Sequence, residues 1–381
     1  MKGPFILHIS TAFHESKVFH ELMVGVANNM SVSQIMFCGR KVDDYQDVIQ
    51  QEEYQVISKP IVRKIDSLSF YTRVTRQYRT LKQALDVSKI NLVHAHFLFT
   101  DGAVALKLFK EHRIPYIISV RNTDTNIYFR YFPHLRRLAE SIIEHASKVI
   151  FISPAHYIKV KGYISSSARD ILDTKVDIIP NGIDSYWLDN LPLPKRSSPG
   201  SKISFIFVGN LDRNKNCSRL VRILKEARDA SGEDLSLTVV GPPKNDYKAF
   251  EKASKDKKWV KYLGPIYDKQ RLKNLFSEHD FFIMLSSRET FGLVYIEAMS
   301  QGIPVVFTKG QGIDGYFVNE PIGISYHLGE GTGEYLASEL RKITDDYFIS
   351  SAACVEAAKR FSWLRISKKY AILYSEIIQN N

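Results

Sequence analysis

The stretch from Phe281 to Val306 constrains the fold of this chain more than any other. Its apolar run FFIML predicts a buried strand, and the composition of residues 290–301 predicts a helix that Gly302 and Pro304 end before a second apolar run. The order strand, loop, helix, strand is that of a parallel α/β unit. In such a unit the helix N-terminus lies at the carboxyl edge of the sheet, where free backbone N–H groups and a partial positive charge can bind a diphosphate.

Two glutamates accompany this helix: Glu289 stands at its mouth and Glu297 lies two turns inside it. A carboxylate at a helix N-terminus is ordinarily a cap, and one on the flank of a helix is ordinarily solvated, so neither glutamate alone indicates a site. The joint pattern is more specific, because the run ETFGLVYIEAMSQGIPVV closely resembles the E-x7-E motif of glycosyltransferase family 4. Members of that family are retaining enzymes of the GT-B fold that use nucleotide-sugar donors.

The resemblance implies roles for the residues of the motif. In the family, the first glutamate faces the donor sugar hydroxyls and the second binds the ribose hydroxyls, which correspond to Glu289 and Glu297. The backbone amides of Phe291, Gly292 and Leu293 would lie against the sugar and the phosphates. Gly292 suits such a contact, because a residue without a Cβ lets a ligand approach the backbone closely.

The length and composition are those of two domains. At 381 residues, with 44% hydrophobic residues, the chain can bury two cores. A predicted linker of residues 185–202, rich in Pro, Ser and Gly, separates an N-terminal domain of residues 1–184 from a C-terminal domain of residues 203–361. The resemblance implies that the first domain binds the acceptor, that the second binds the donor, and that a helix over residues 362–381 crosses back to the first. Each domain begins with a predicted strand and a loop, so we expect the α/β GT-B fold: two doubly wound, Rossmann-like parallel sheets that face each other across a cleft.

The C-terminal domain contains a second stretch that resembles the family. After a predicted strand over residues 204–208, the sequence GNLDRNKN resembles the G-R-L-x-x-x-K-G loop that grips the donor diphosphate; Lys215 takes the lysine position and Asn210 replaces the usual arginine. The resemblance implies that Lys215, Arg213 and the helix N-terminus stabilise the departing nucleoside diphosphate without a metal. It also places Ile266, in the segment GPI, where the backbone of family members contacts the nucleobase.

In the N-terminal domain, strands are predicted over residues 5–9, 91–99 and 115–120. The first is followed by STAFHES, which lacks the paired glycines that the family has at this point. The second ends in H-A-H, which resembles the family's H-x-H-x-x-x-x-G segment, and we interpret His94 and His96 as residues that shape the pocket. Since no carboxylate or cysteine stands at a recognisable metal-binding spacing from them, a zinc site is not indicated.

The strand over residues 115–120 ends in R-N-T-D, where typical members of the family have H-G-(S/T)-D. Arg121 therefore stands at the position of a histidine that reaches the donor sugar, and Asp124 keeps the family's aspartate. Together with Glu289 and Lys215, these two residues are the predicted catalytic residues.

The formal net charge of +11 is unevenly distributed. From Lys59 to Arg137, fifteen Lys and Arg residues stand against five acidic residues, so most of the excess lies in one part of the N-terminal domain. Within it, an amphipathic helix is predicted over residues 66–87, with arginines opposite its apolar stripe. A solvated face, an acidic glycan, an anionic membrane surface and nucleic acid are alternative explanations of this charge, and nucleic acid is the least favoured partner.

Aromatic residues and arginines alternate directly after Asp124, in the run IYFRYFPHLRR. The aromatic side chains can be helix core, but their density also favours stacking on an acceptor or insertion into a membrane interface. The predicted acceptor-binding or membrane-binding residues are Tyr128, Phe129, Arg130, Arg136 and Arg137.

The cysteines and the apolar stretches indicate the cellular compartment. Cys38, Cys217 and Cys354 are widely separated and odd in number, which indicates a reducing compartment and neither a disulfide framework nor a metal site. The N-terminal apolar run is too short for a signal peptide, and no apolar stretch of 18 residues occurs. We therefore expect a cytoplasmic protein, with peripheral association at the inner face of the membrane as a further prediction.

These features predict a retaining, metal-independent hexosyltransferase that needs no cofactor. It would move a hexose from a nucleotide diphosphate sugar to a saccharide or lipid-linked saccharide, in bacterial-type synthesis of a cell-surface polysaccharide or glycolipid. The alternative is a non-catalytic, sugar-nucleotide-binding partner subunit of a glycosyltransferase complex, which would explain why Arg121 and Asn210 depart from the family pattern.

Overall fold

The computed structural model describes residues 3–41, 48–62, 69–195, 199–200 and 202–380 of the chain. The chain divides into two compact units: the first comprises Met1–Ile152, His156–Asn181 and Trp363–Asn381, and the second comprises Ser153–Ala155 and Gly182–Ser362. Some predicted features lie outside the described residues, namely Arg63, Lys64 and Asp66 of the basic region and residues 196–198 and 201 of the linker.

Among the described residues of the first unit, eight strands form the sheet: β1 (Phe5–Ile9), β2 (Ser33–Lys41), β3 (Val48–Gln50), β4 (Gln55–Val62), β5 (Leu92–Ala95), β6 (Tyr116–Val120), β7 (Lys148–Phe151) and β8 (Val176–Ile178). Their order is β3-β4-β2-β1-β5-β6-β7-β8. All neighbours are parallel except β3, which pairs antiparallel with β4 at one edge. The strands predicted over residues 5–9 and 115–120 are confirmed, whereas the one predicted over residues 91–99 ends at Ala95.

The helices that accompany this sheet before residue 181 are α1 (Val18–Ala27), α2 (Phe70–Ala84), α3 (Thr100–His112), α4 (Phe129–Tyr131), α5 (Arg136–His145), α6 (Pro154–Lys161) and α7 (Ser166–Lys175). A π-helical turn, Asp124–Tyr128, leads into α4. Helix α2 accounts for the described part of the amphipathic helix predicted over residues 66–87. Its Val74 and Leu81 are buried, whereas Tyr71 in the first turn stays 57% exposed.

The described part of the second unit contains six strands: β9 (Lys202–Val208), β10 (Asp234–Val240), β11 (Val260–Tyr262), β12 (Phe281–Met284), β13 (Val305–Thr308) and β14 (Gly323–Tyr326). They are all parallel, in the order β11-β10-β9-β12-β13-β14. Its helices are α8 (Ser185–Asp189), α9 (Cys217–Ser231), α10 (Tyr247–Ser254), α11 (Lys269–Glu278), α12 (Leu293–Ser300), α13 (Gly333–Asp345) and α14 (Tyr347–Ala358). The two parallel α/β units confirm the predicted fold class.

The chain returns to the first unit through its last helix, α15 (Trp363–Gln379). One face of α15 is apolar at helical spacing and is buried on the sheet. The residues of this face are Ile366, Tyr370, Leu373, Tyr374 and Ile377, and they pack with Ile6, Leu92, Ile117 and Ile150 from four neighbouring strands. Because α15 shields these four strand residues from water, it completes the core of the first unit.

Each sheet has one point where the direction of strand addition reverses. In the second unit this point lies between β9 and β12, and in the first unit it lies between β1 and β5. Loops that leave neighbouring strands on either side of such a point diverge and leave a crevice at the carboxyl edge, which is where open α/β sheets bind ligands. The predicted site residues follow these strands.

Candidate functional site

In the second unit, an ion pair joins the loops that follow β9 and β12. Lys215 Nζ lies 2.5 Å from Glu289 Oε2, although the two residues are 74 positions apart in the sequence. Their side chains are only 20% and 12% exposed, so water screens the pair weakly. The structure therefore brings together the two predicted catalytic residues of the C-terminal domain at the point where the strand order reverses.

Two asparagine side chains connect these two loops through hydrogen bonds. The Asn214 side chain donates to the Arg288 carbonyl at 2.9 Å and accepts from the Arg288 amide at 3.0 Å. The Asn216 side chain donates to the Leu285 carbonyl at 2.8 Å and to Ser287 Oγ at 2.7 Å. Asn216 has a φ of +55°, in the left-handed region that asparagine tolerates better than most residues. The sequence analysis missed both asparagines, although Asn216 occupies the position of a glycine in the family's loop.

The Glu289 carboxylate is held from several sides. Oε1 accepts from the Thr290 amide at 3.2 Å, and Oε2 accepts from Ser286 Oγ at 3.4 Å. The Glu289 backbone is tied to the loop after β13, because its amide donates to Gln311 Oε1 at 3.0 Å and its carbonyl accepts from the Gly312 amide at 2.9 Å. These contacts fix where the carboxylate points before any ligand binds.

The helix predicted over residues 290–301 begins later than expected, at Leu293. Gly292 has a φ of +82°, which breaks the helical conformation, and a Cβ at this residue would lie 2.6 Å from the ring of Tyr295. Only glycine fits there without a shift of that ring. Phe291 is buried, whereas Gly292 and Leu293 are partly exposed, so the accessible backbone at the start of α12 is that of Gly292 and Leu293.

The loop after β13 carries a glycine pattern that the sequence analysis missed. Residues 310–315 read GQGIDG, which matches the G-x-G-x-x-G pattern of dinucleotide-binding proteins. That pattern requires a helix directly after the glycines, whereas residues 310–319 form turns and bends here. The glycines serve close packing: a Cβ on Gly312 would lie 2.9 Å from the Phe291 carbonyl oxygen and 3.0 Å from Glu289 Cγ. The motif therefore supports the Glu289 loop and does not indicate a nicotinamide cofactor.

The other residues predicted to bind the donor lie in the same unit, on α12 and in the loops that follow its strands. Glu297 is partly buried on α12, and it accepts a hydrogen bond from the indole N–H of Trp187. Its burial and the nearby Asp184 carboxylate raise the pKa of Glu297 to about 7, while Lys269 and Trp187 act in the opposite direction. Arg213 is exposed on the loop that carries Lys215, and Ile266 is 8% exposed after β11.

In the first unit, three fully buried histidines meet at the carboxyl end of β1 and β5. His8 pairs in register with His94, and His8 Nδ1 lies 3.1 Å from His96 Nε2. His94 uses both ring nitrogens, with Tyr374 Oη at 2.6 Å and Ser119 Oγ at 2.8 Å. One ring nitrogen from each histidine lies within 4.8 Å of the others, which makes this the group among the described residues with metal-ligating potential. Because His94 already bonds through both nitrogens, we interpret the cluster as a neutral hydrogen-bonded network.

Arg121 leaves β6 beside this cluster. Its Nε donates to the His96 carbonyl at 3.2 Å, a terminal nitrogen donates to Asn181 Oδ1 at 3.4 Å, and the guanidinium lies 5.0 Å from the ring centre of Phe19. A backbone carbonyl and an amide oxygen thus orient the guanidinium. These hydrogen-bond partners of the Arg121 guanidinium are neutral, and the carboxylates of Asp124 and Asp101 favour its charged form from nearby.

Asp124 is fully buried and ties two loops together. Its carboxylate accepts backbone N–H groups of Arg121 at 2.9 Å, Leu98 at 3.1 Å and Phe99 at 3.2 Å. These bonds end the strand predicted over residues 91–99 early, because they turn the backbone of Leu98 and Phe99 toward α3. Burial raises the pKa of Asp124 to about 6, against the opposing effect of the three amides.

The structure divides the predicted acceptor-binding or membrane-binding residues between the surface and the core. Phe129 is fully buried and packs on Phe99 with ring centres 4.9 Å apart, so it is not available to a membrane or an acceptor. Tyr128 is partly buried. Arg130 and Arg137 are exposed and Arg136 is partly buried, while the aromatic residues exposed beside them are Tyr131 and Phe132. None of the described helices is long and apolar enough to cross a membrane.

Two family profiles match the chain. The profile of glycosyl transferases group 1 matches residues 193–361, and that of glycosyltransferase family 4 matches residues 35–186. The alpha-monoglucosyldiacylglycerol synthase of Streptococcus pneumoniae is 25% identical over 307 residues, which cover 74% of this chain and 66% of that protein, slightly less than two thirds of its length.

Solved structures share the fold at low sequence identity. The sucrose-phosphate synthase of Thermosynechococcus elongatus superimposes with a TM-score of 0.75 at 18% identity and covers all of both chains. Anabaena HepE, solved in complex with UDP and glucose, superimposes with a TM-score of 0.63 at 17% identity and covers 98% of this chain and all of its own.

The buried histidines predict a loss of stability in mild acid. Burial lowers the pKa of His8 to about 4 and lowers the pKa values of His94 and His96 as well. Between about pH 6.5 and pH 4 these histidines are therefore protonated in the unfolded chain but not in the folded chain, so their contribution to the free energy of unfolding falls as the pH falls. For His8 alone, we expect a loss of about 2 kcal/mol between pH 7 and pH 5.

The measurement is urea unfolding at pH 7 and pH 5. His8→Gln should lose stability at pH 7 but show a smaller further loss at pH 5, because one buried titrating group is gone. His134→Gln, at an exposed histidine, is the matched control and should keep the wild-type pH dependence. An equal loss between pH 7 and pH 5 in wild type and His8→Gln would contradict the prediction.

Proposed function

Because the chain is a GT-B glycosyltransferase of the family 4 type, we propose that it transfers a hexose from a nucleotide diphosphate sugar to a saccharide or lipid-linked saccharide, with retention and without a metal. The observation that carries the proposal is the Lys215–Glu289 ion pair beside the N-terminus of α12. Lys215, a cation that can bind the phosphates, then lies beside Glu289, a carboxylate that can bind the sugar. Glu297 lies farther along, on α12.

The cationic side of the site would stabilise the leaving group. As the bond between the sugar and the diphosphate breaks, negative charge grows on the nucleoside diphosphate. Lys215, the exposed Arg213 and the amides at the start of α12 are placed to stabilise that charge. Because Asn214 and Asn216 connect the loop of Lys215 to the segment before α12, Lys215 and the amides at the start of α12 need little reorganisation during the reaction.

The carboxylate side would act on the sugar. Positive charge grows on the sugar ring in an oxocarbenium-like transition state, and hydrogen bonds from the sugar hydroxyls to Glu289 strengthen as it grows. Lys215 and Glu289 neutralise each other in this structure. A bound donor would give each a new partner: the phosphate for the ammonium, and the sugar hydroxyls for the carboxylate.

In the first unit, we propose that Arg121 takes the role of the family's histidine. Its guanidinium can hold an anionic or hydroxyl oxygen through a planar pair of N–H groups. Asp124 would act on it indirectly, because it holds the backbone of Arg121 and of the neighbouring loop.

Two of the comparisons support the choice of substrates. HepE was solved with UDP and glucose, which supports a nucleotide sugar as donor here. The pneumococcal synthase makes alpha-monoglucosyldiacylglycerol according to its name, which supports a glycolipid or a cell-surface saccharide as product here. We place the reaction in the cytoplasm, at the inner face of the membrane.

We predict that Glu297→Ala weakens nucleotide binding, whereas Glu289→Ala mainly lowers the rate of transfer. Loss of charged hydrogen bonds should cost about 1.5 to 3 kcal/mol, roughly a ten- to hundredfold effect. Calorimetry with UDP, GDP and ADP measures the first effect, and transfer from the corresponding labelled sugar nucleotides, with the anomeric configuration of the product read by NMR, measures the second.

The exposed Glu251→Ala is the matched control and should change neither quantity. Equal effects of the two site variants on the nucleotide dissociation constant would contradict the assignment of roles. Nucleotide binding without transfer to any tested saccharide or lipid would instead support the non-catalytic partner subunit.

We further propose that the exposed residues Arg130, Tyr131, Phe132 and Arg137 contact an anionic membrane surface. We predict more co-sedimentation with acidic vesicles than with neutral ones, and a decrease at high salt because salt screens the charges. Arg130→Gln with Arg137→Gln should lower this binding. Arg222→Gln with Lys248→Gln, which removes the same charge from exposed positions of the second unit, should not. Equal binding to neutral and acidic vesicles would exclude the electrostatic contact.

A further inference from the structure

Residues from three helices surround the carboxylate of Glu297, the predicted ribose-binding residue. All three helices belong to the second unit: α12 carries Glu297, α8 carries Trp187, and α11 begins with Lys269. Trp187 is 2% exposed and donates its indole N–H to the Glu297 carboxylate. A buried donor on a rigid ring limits the directions in which this carboxylate can point.

The start of α8 is tied to the start of α11. Asp184 accepts the Tyr186 amide at 3.0 Å and so caps α8, and its other carboxylate oxygen forms an ion pair with Lys269. The Lys269 ammonium also lies 5.7 Å from the centre of the Tyr186 ring, and the Tyr186 hydroxyl donates to Gln270 at 2.9 Å. Asp184 and Lys269 are therefore held in place by contacts on both helices.

Two charged residues act on the carboxylate of Glu297: Asp184 and Lys269. Asp184 acts against the ionised form of Glu297, and Lys269 acts in its favour. The Asp184–Lys269 pair is thus the charged pair that acts on Glu297 among the described residues.

We propose that Trp187 and Lys269 are positioning residues for the donor nucleotide: Trp187 orients Glu297, and Lys269 offsets the opposing charge of Asp184, so that Glu297 stays ionised and accepts the ribose hydroxyls. This inference rests on the proposed function, since it takes Glu297 as a nucleotide-binding residue. Together with the burial of Glu297, the balance between Asp184 and Lys269 then sets the pH range in which the donor binds.

The sign of the pH dependence follows from the ionised form. Burial holds the pKa of Glu297 at about 7, so the carboxylate is ionised above that pH and loses acceptor capacity as the pH falls through it. Donor affinity should therefore fall in the same range. Removal of Lys269 should move this range to higher pH, and removal of the Asp184 charge should move it to lower pH.

The experiment is calorimetric titration of the full chain with UDP from pH 5.5 to pH 8.5. The β-phosphate of UDP titrates in this range too, so Glu297→Gln serves as the baseline that retains only the titration of UDP. We expect Lys269→Met to weaken UDP binding about fivefold at pH 7 and to move the midpoint upward, because one favourable charge is gone. Lys269→Arg should restore the wild-type midpoint.

The Asp184→Asn variant distinguishes an electrostatic effect of Asp184 on Glu297 from a purely structural role of Asp184. It should bind UDP more tightly than wild type at pH 6 and should move the midpoint downward, whereas a structural role would weaken binding at every pH. Trp187→Phe keeps the ring but loses the N–H group, and it should weaken UDP binding across the whole range. A thermal melt of each variant checks that the fold is retained.

The outcomes distinguish this inference from the proposed function. If Glu297→Gln binds UDP as wild type does at every pH, the assignment of Glu297 fails and the donor site must be sought elsewhere. If Glu297→Gln changes the profile but Lys269→Met and Asp184→Asn leave the midpoint in place, the positioning inference alone is overturned. Midpoints that move in opposite directions in these two variants support it.

Discussion

The parallel pairing of β9 with β12 is the constraint on which the candidate site of the second unit depends. Parallel strands send their following loops to the same edge of the sheet, and here the direction of strand addition reverses between them. The loop that carries Lys215 and the loop that carries Glu289 therefore leave the sheet beside each other, and these two side chains meet although they are 74 residues apart in the chain. The ion pair, the asparagine contacts and the start of α12 are all consequences of this meeting.

Polar groups at the site residues of the first unit are fixed by neutral partners more than by opposite charges. Asp124 is held by three backbone amides, Arg121 by a carbonyl and an amide oxygen, and the histidines of the first unit by one another and by hydroxyl groups. A buried polar group that is hydrogen-bonded avoids the cost of desolvation without an additional buried charge. The Lys215–Glu289 pair differs, because a bound donor would offer new partners to both of its charges.

The sequence was sufficient for the fold class and the family motif, because both rest on local patterns. Apolar runs predicted the strands over residues 5–9 and 115–120, and the E-x7-E motif with its continuation predicted the family. Local patterns predicted the ends of helices and strands less reliably where a single residue changes the course of the backbone. The helix predicted from residue 290 begins at Leu293 because Gly292 adopts a positive φ, and β5 is short because Asp124 turns the chain that follows it.

The sequence by itself determined which chemical groups are present and, through the parallel α/β pattern, at which edge of each sheet they stand. Only the tertiary structure decided which of them meet. It placed His8 beside His94 through strand register, buried Phe129 although its neighbours Tyr131 and Phe132 are exposed, and brought Asp184 and Lys269 to Glu297. The physical reason is that these contacts join segments far apart in the chain, and their geometry is set by sheet order and helix packing, which no local periodicity records.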